Sequence, residues 1–295
     1  MTGAVIIVQV RRRTLERRDG FVSHTRKAPP VTQIGQGSTE YRVELPNVST
    51  TITLAWAALT DVGHRREVNE DSVLAAPPLF AVADGMGGHS AGDVASTAVV
   101  TRLAELSGTL LTEAGLIDRA LNLAVEDMAA GAGVTDSGTG TTVSGIALAL
   151  VSNAVNWIVY NIGDSRVYQL TGDVLEQVTR DHSVVQELVD AGRITREEAD
   201  VHPQGNIITR AVGFHEPPIP DYQILPVHAG MRILVCSDGL TKELTFYGIR
   251  HFLLGTKPAA DVVAAMVEAA LENGGRDNVT AIVVDVLAVE SYEAP

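Results

Sequence analysis

The sequence predicts an α+β layered fold, and three observations predict it. Stretches that read as strands outnumber those that read as helices, no regular strand-helix alternation runs along the chain, and four short apolar runs each lie beside an acid in a turn. The run Phe80-Ala81-Val82-Ala83 carries no charge, is too short for a helix and stops at Asp84-Gly85-Met86-Gly87-Gly88. It reads as a buried strand with a carboxylate at its end, where glycines let a ligand approach the backbone. A buried carboxylate is costly unless something positive meets it, so a cation is the expected occupant.

Three further stretches repeat the arrangement: Val159-Tyr160-Asn161-Ile162-Gly163-Asp164-Ser165, Ile233-Leu234-Val235-Cys236-Ser237-Asp238-Gly239, and Gly275-Arg276-Asp277-Asn278 before Val279-Thr280-Ala281-Ile282. One such Asp is an ordinary turn residue that bonds its own backbone. Four acids brought to one rim of a sheet system would repel one another unless cations neutralised them.

Taken in order, residues 1–50 hold eight Lys or Arg against four Asp or Glu and no sustained period, so a disordered basic extension is expected there. Residues 51–290 form the expected folded domain, and residues 291–295 a tail. Strands are expected at 51–58 and 72–75, with Arg65-Arg66-Glu67-Val68-Asn69-Glu70-Asp71 on the loop between them. Helical spacing follows at 92–106 and again through Ile117, Leu121, Ala124 and Met128, then a hairpin at 141–150 and 154–162, and a strand at 166–170. Residues 181–213 read as a polar, helical flap, with Thr195-Arg196-Glu197-Glu198 in the form of a capping box. Strands near 224–227 and 232–236, a helix at 259–271 and a closing strand complete the domain.

Composition narrows the function. The formal net charge is −14, and the acidic excess lies in the body of the chain, which argues against nucleic acid as a partner. No apolar run reaches eighteen residues, so no membrane span is expected. The single cysteine, Cys236, excludes a disulfide framework within one chain and fits a cytoplasmic home. No Arg closes a phosphate-cradling loop after it, so Cys236 is expected to pack in the core rather than act as a nucleophile.

The ordered set Arg66-Glu67-Val68-Asn69-Glu70-Asp71, Asp84-Gly85-Met86-Gly87-Gly88, Gly138-Thr139-Gly140-Thr141-Thr142, Gly163-Asp164-Ser165-Arg166, Asp181-His182-Ser183, Ser237-Asp238-Gly239 and Asp277-Asn278 resembles the bacterial branch of the PPM, or type 2C, metal-dependent Ser/Thr protein phosphatases. The resemblance covers about residues 54–286. It implies a central antiparallel β-sandwich with helices on both faces and a two-metal centre at one end. By that likeness Asp84 bridges two ions, Gly85 offers its carbonyl, Asp238 and Asp277 complete the shell, and Glu70 and Asp71 act through waters. Asp164 with Asp238 matches a third-metal site, Arg66 matches the phosphate-binding arginine, and Asn278 supports Asp277.

An all-oxygen donor set suits Mn2+ or Mg2+ rather than zinc. The expected reaction is hydrolysis of phosphoserine or phosphothreonine by direct attack of a metal-activated water, with Arg66, Asp84, Asp238 and Asp277 as the catalytic group and no phosphoenzyme. Phosphorylated proteins are the expected partners, opposite Ser/Thr kinases. Two alternatives come from other classes: an idle phosphoprotein-binding module, and a small-molecule phosphatase on the same fold. One departure stands out: animal members of the family carry histidine where this chain has Met86. His89 and His182 are then weighed as proton donors, each more readily explained as structural.

Overall fold

The protein is described from a computed structural model covering residues 31–87, 91–131, 139–214 and 217–291. The uncharged runs in the sequence become strands buried on both faces, because each lies in a sheet sandwiched between another sheet and a layer of helices. In chain order the strands are Gln33–Ile34 (β1), Ser38–Leu45 (β2), Thr50–Asp61 (β3), Asp71–Ala76 (β4), Leu79–Met86 (β5), Gly140–Thr141 (β6), Val143–Val151 (β7), Ala154–Ile162 (β8), Arg166–Thr171 (β9), Val174–Gln177 (β10), Asp221–Pro226 (β11), Arg232–Cys236 (β12) and Val279–Ser291 (β13). The helices are Ala91–Ala104 (α1), Ala114–Gly131 (α2), Val184–Asp190 (α3), Arg196–Ala199 (α4), Asp238–Thr241 (α5), Phe246–Leu253 (α6) and Ala259–Glu272 (α7).

One sheet runs β1-β4-β5-β7-β8-β11, with β6 on β5, and the other runs β10-β9-β12-β13-β3-β2. All pairings are antiparallel except the two-residue β1–β4 contact. The period of two along each strand divides its side chains between layers. Phe80 and Val82 of β5 enter the core between the sheets, with Trp56, Trp157, Ile233 and Ile282. Leu79, Ala81 and Ala83 turn to the outer core, with Val99 and Leu103 of α1 and Leu121 of α2. On the far side Leu234 and Cys236 of β12 meet Ile249 of α6 and Val263 and Met266 of α7. The result is four layers, helix-sheet-sheet-helix, as the resemblance implied. Cys236 is fully buried and its thiol is pushed up to about 12 by that burial, which fits a packing role.

The expected disordered extension requires correction for residues 31–50. They form β1, β2 and a 3-10 turn at Pro46–Val48, and β2 pairs along β3. Val43 and Leu45 enter the core, Tyr41 meets Trp56 edge to face, and the Trp56 indole N–H donates to the Gln36 carbonyl at 2.8 Å. Arg42 and Glu44 alternate with these apolar residues because β2 is an edge strand with one wet face, which dilutes its hydrophobic pattern. Residues 1–30, which hold most of the segment's basic charge, lie outside the described residues, as do residues 292–295 of the tail.

The turn after β12 sits directly on the turn before β13. A Cβ built on Gly239 would stand 1.9 Å from the Asn278 carbonyl oxygen, so only glycine lets the two acidic turns come together. Gly239→Ala is therefore expected to lower unfolding stability by about 2–3 kcal/mol, as overpacking does, and to weaken metal binding, read from urea unfolding with and without Mn2+.

Candidate functional site

The acids meet because four chain reversals fall at one end of the sandwich. Asp71 opens β4 and Asp84 stands near the end of β5, and the two are direct partners in the antiparallel register. The backbone of Asp84 is fixed on both sides: its N–H donates to Thr142 Oγ1 at 3.1 Å, and its carbonyl accepts from Thr141 Oγ1 and from the Thr142 N–H, each at 2.9 Å. Thr142 and Ser165 share a hydrogen bond of 2.8 Å between their hydroxyls, which ties this strand to the turn carrying Asp164. Asp238 opens α5 directly after β12, and Asp277 directly precedes Asn278 and β13.

Asn278 acts as a clip. Its Oδ1 accepts from the Glu70 N–H at 2.9 Å, and its Nδ2 donates to the Val62 and Val68 carbonyls at 3.0 Å each, holding the loop that bears Arg66 and Glu70. A cavity of about 250 Å3 results, lined by Arg66, Glu70, Asp84, Gly85, Asp164, Asp238, Lys242 and Asp277. Of the acids expected from the sequence, only Asp71 is absent from this lining. It lies behind it, 1% exposed, with Oδ2 accepting from Ser237 Oγ at 2.9 Å and Thr280 Oγ1 at 2.6 Å.

Electrostatics mark the cluster as short of positive charge. Burial, then the charges of Asp71, Asp238, Asp164 and Asp277, hold the Asp84 carboxyl well above the ordinary carboxylate range. Asp71 is pushed up to about 7 by burial, against the help of its two hydroxyl donors. Asp164 is likewise pushed up to about 7, by burial and by Asp238 and Asp181. Glu70 is raised too, chiefly by burial. Among the described residues, Asp71 Oδ1 and Asp238 Oδ1 are buried without a hydrogen-bond partner. Native proteins seldom leave such atoms unmatched, and oxygen atoms of this kind suit a hard divalent cation. The donor set therefore fits Mn2+ or Mg2+.

Two cationic side chains occupy part of the rim, and sequence reasoning had found only one of them. Arg66 forks onto Asp277, with Nε 2.7 Å from Oδ1 and Nη2 3.0 Å from Oδ2. Lys242 Nζ pairs with Asp238 Oδ2 and stands 3.6 Å from Asp277 Oδ2. These pairs draw Asp238 and Asp277 toward the rim, and among the described residues no three acids close on one point as a metal cage would. The four-residue step from Asp238 to Lys242 was the available clue, since i,i+4 pairs face each other once the turn is helical.

The flap, residues 181–213, crosses beside the cavity, and its Asn206 and Ile208 reach the lining. The expected helices are present: Ser183 caps α3, and Thr195 with Glu198 forms the full capping box of α4. Asp181 accepts from Arg166 at 2.7 Å, which joins two of the sequence motifs in one structural contact. His182 is an anchor rather than a proton donor to the cavity. The Gly163 N–H donates to its Nδ1 at 3.2 Å, its Nε2 faces Asp221 Oδ2 at 3.1 Å, and burial lowers its pKa. His89 lies outside the described residues, as do Gly88 and Gly138.

Comparison with known proteins matches this architecture. The profile of the family described as Protein phosphatase 2C covers residues 63–283. The serine/threonine protein phosphatase PstP of Mycobacterium tuberculosis is 42% identical over 242 residues, which are 80% of this chain and 46% of that protein. The chain thus spans about half the length of this relative. Protein phosphatase PhpP of Streptococcus pneumoniae is 36% identical over 241 residues, 77% of this chain and 96% of that one. The crystal structure of the PstP catalytic domain in complex with two manganese ions superposes with a TM-score of 0.71 at 39% identity, over 80% of this chain and 99% of that one. With three quarters of its length matched by the profile and its acids on the turns that the family motifs occupy, the chain belongs to the protein phosphatase 2C family.

Proposed function

We propose that the chain is a metal-dependent protein phosphatase that hydrolyses phosphoserine and phosphothreonine. The observation that carries this reading is the cavity that Asp84, Asp164, Asp238 and Asp277 all line, with a buried carboxylate oxygen of Asp238 left unmatched. Two bound Mn2+ or Mg2+ ions would supply an activated water and neutralise the phosphate. In this reading Asp84, Asp238 and Asp277, with the Gly85 carbonyl, would hold the ions, and Glu70 and Asp71 would act through bound water. Asp71 does this from behind the wall, held by Ser237 and Thr280.

Arg66 binds the substrate phosphate. Its guanidinium is half-exposed and engaged with Asp277, so it exchanges one fork-shaped anionic partner for another as substrate enters. Substrate phosphate is drawn to a rim carrying Arg66 and Lys242, while the flap, through Asn206 and Ile208, selects the polypeptide around it. Among the described residues no histidine lines the cavity. Phosphorylated proteins made by Ser/Thr kinases in the cytoplasm are the substrates this reading requires. Among the described residues no helix is long and apolar enough to cross a membrane.

The test is release of phosphate from a phosphothreonine peptide with Mn2+, with Mg2+ or with EDTA. Turnover is expected with either ion and to vanish with EDTA. Arg66→Ala is expected to lower kcat/KM by about a hundredfold, in keeping with removal of one group that stabilises transferring phosphoryl charge. Turnover that survives EDTA, or a phosphoenzyme trapped by acid quench, would overturn the proposal.

A further inference from the structure

Behind the cavity a ring of hydrogen bonds joins the two sheets at the end of the sandwich. Thr60 of β3 and Thr280 of β13 are direct partners in the antiparallel register, and their hydroxyls stand 2.7 Å apart. Thr280 Oγ1 donates to Asp71 Oδ2 at 2.6 Å, and the Asp71 N–H donates to Asn69 Oδ1 at 3.0 Å. Asn69 Nδ2 donates to Thr60 Oγ1 at 2.9 Å, which closes the ring. Ser237 Oγ is a second donor to Asp71 Oδ2 at 2.9 Å and accepts from the Thr280 N–H at 3.0 Å. Asn69, Asp71, Ser237 and Thr280 are buried, and neither Asn69 nor Thr60 lines the cavity.

A hydroxyl has one proton to give, and that fixes the direction of the whole ring. Thr280 gives its proton to Asp71, so the proton between the two threonines comes from Thr60, and Thr60 in turn accepts from the Asn69 amide. The amide is held one way round, because its oxygen accepts from the Asp71 N–H. We infer that Asn69 and Thr60 are positioning residues for metal binding, which through Thr280 hold the Asp71 carboxylate in one orientation. Oδ2 is filled by two hydroxyls, and Oδ1, buried with no partner among the described residues, is left to accept from bound water. The inference rests on the metal-dependent reading above. The ring is not needed to hold the loop, since Asn278 already fixes its backbone at Val68 and Glu70, on either side of Asn69. Hydrogen bonds in a buried chain polarise one another, so a donor lost at Thr60 is felt two bonds away at Asp71.

The test measures Mn2+ affinity rather than turnover. The full chain is titrated with Mn2+, and free Mn2+ is followed by its electron paramagnetic resonance signal. Thr60→Val keeps the shape of the side chain without the hydroxyl and is expected to weaken binding by about tenfold, as loss of a group that orients a metal ligand does. Thr60→Ser, which keeps the hydroxyl, is expected to bind as wild type does. Asn69→Ala cuts the ring one step further back and is expected to act in the same direction, so the outcome does not hang on one variant. In an Asp71→Ala background the loss from Thr60→Val should vanish, because the oxygens it acts through are gone; a general loosening of the fold would not show that coupling. Unchanged affinity in folded Thr60→Val or Asn69→Ala protein, or a loss of the same size with and without Asp71, overturns the inference and leaves the phosphatase reading intact. A wild type that binds no Mn2+ overturns that reading and the inference together.

Discussion

Asp84→Asn is expected to abolish phosphatase turnover and, in the same protein, to raise the unfolding midpoint measured in EDTA. The two effects share one cause. Asp84 stands at the end of a strand buried on both faces, opposite Asp71 and facing Asp164, Asp238 and Asp277, and its carboxyl is held well above the ordinary range by burial first and those four charges second. Without metal that carboxylate is a liability, because its charged form is disfavoured by every neighbour named. An amide of the same shape removes the charge and keeps the backbone bonds to Thr141 and Thr142, which do not involve the side chain. With metal the balance inverts, since the amide is a neutral, weaker ligand for a hard cation. Turnover should fall by about a thousandfold or more, beyond the 10²–10³ lost with a single preorganised electrostatic group, and Mn2+ should no longer raise the unfolding midpoint as it does for wild type. A variant that retained metal-dependent turnover, or was less stable than wild type in EDTA, would remove Asp84 from the centre of the site.

That trade between function and stability explains why the acids were legible in the sequence and their partners were not. Asp84, Asp164 and Asp238 each close an apolar run with no other charge in it, and a charge at the end of such a run is conspicuous because folding would ordinarily avoid it. The strands behind them, β5, β8 and β12, were legible for the same reason. By contrast β2 and β10 lie at sheet edges, where a wet face mixes Arg42, Glu44 and Glu176 into the pattern. The one-turn helix α5 is too short to show a period, and with it went the pairing of Asp238 with Lys242. Arg66 and Asp277 are 211 residues apart, and Asp71 meets its hydroxyl donors Ser237 and Thr280 from opposite ends of the domain. Contacts of that kind follow from sheet order, which periodicity along the chain does not give.

The pH dependence of the metal-free protein should run opposite to that of a protein stabilised by paired surface carboxylates. Asp71 and Asp164 are each pushed up to about 7 from an ordinary 3.8, so between those values the folded state holds protons that the unfolded chain releases. Their contribution is fully present below the unfolded value and is lost as pH rises through about 7. The two contributions together amount to less than the sum of each alone, because the groups share the neighbouring charge of Asp238. His182 works against the trend: its pKa is lowered by burial, so its contribution is present above its ordinary value and is lost as pH falls. Asp127, Asp190 and Asp221, lowered by Arg102, Arg180 and His182 with Arg210, titrate below the window in which Asp71 and Asp164 change state. In EDTA, then, the urea midpoint should rise as pH is lowered from about 8 to about 6, and Asp71→Asn should flatten that rise. In saturating Mn2+ the slope should reverse, because the ion binds the ionised acids and protons compete with it. A midpoint in EDTA that instead climbed with pH would mean that the acid cluster is neutralised within the protein, with Arg66 and Lys242 sufficient to do it, and that the cavity has no need of a metal.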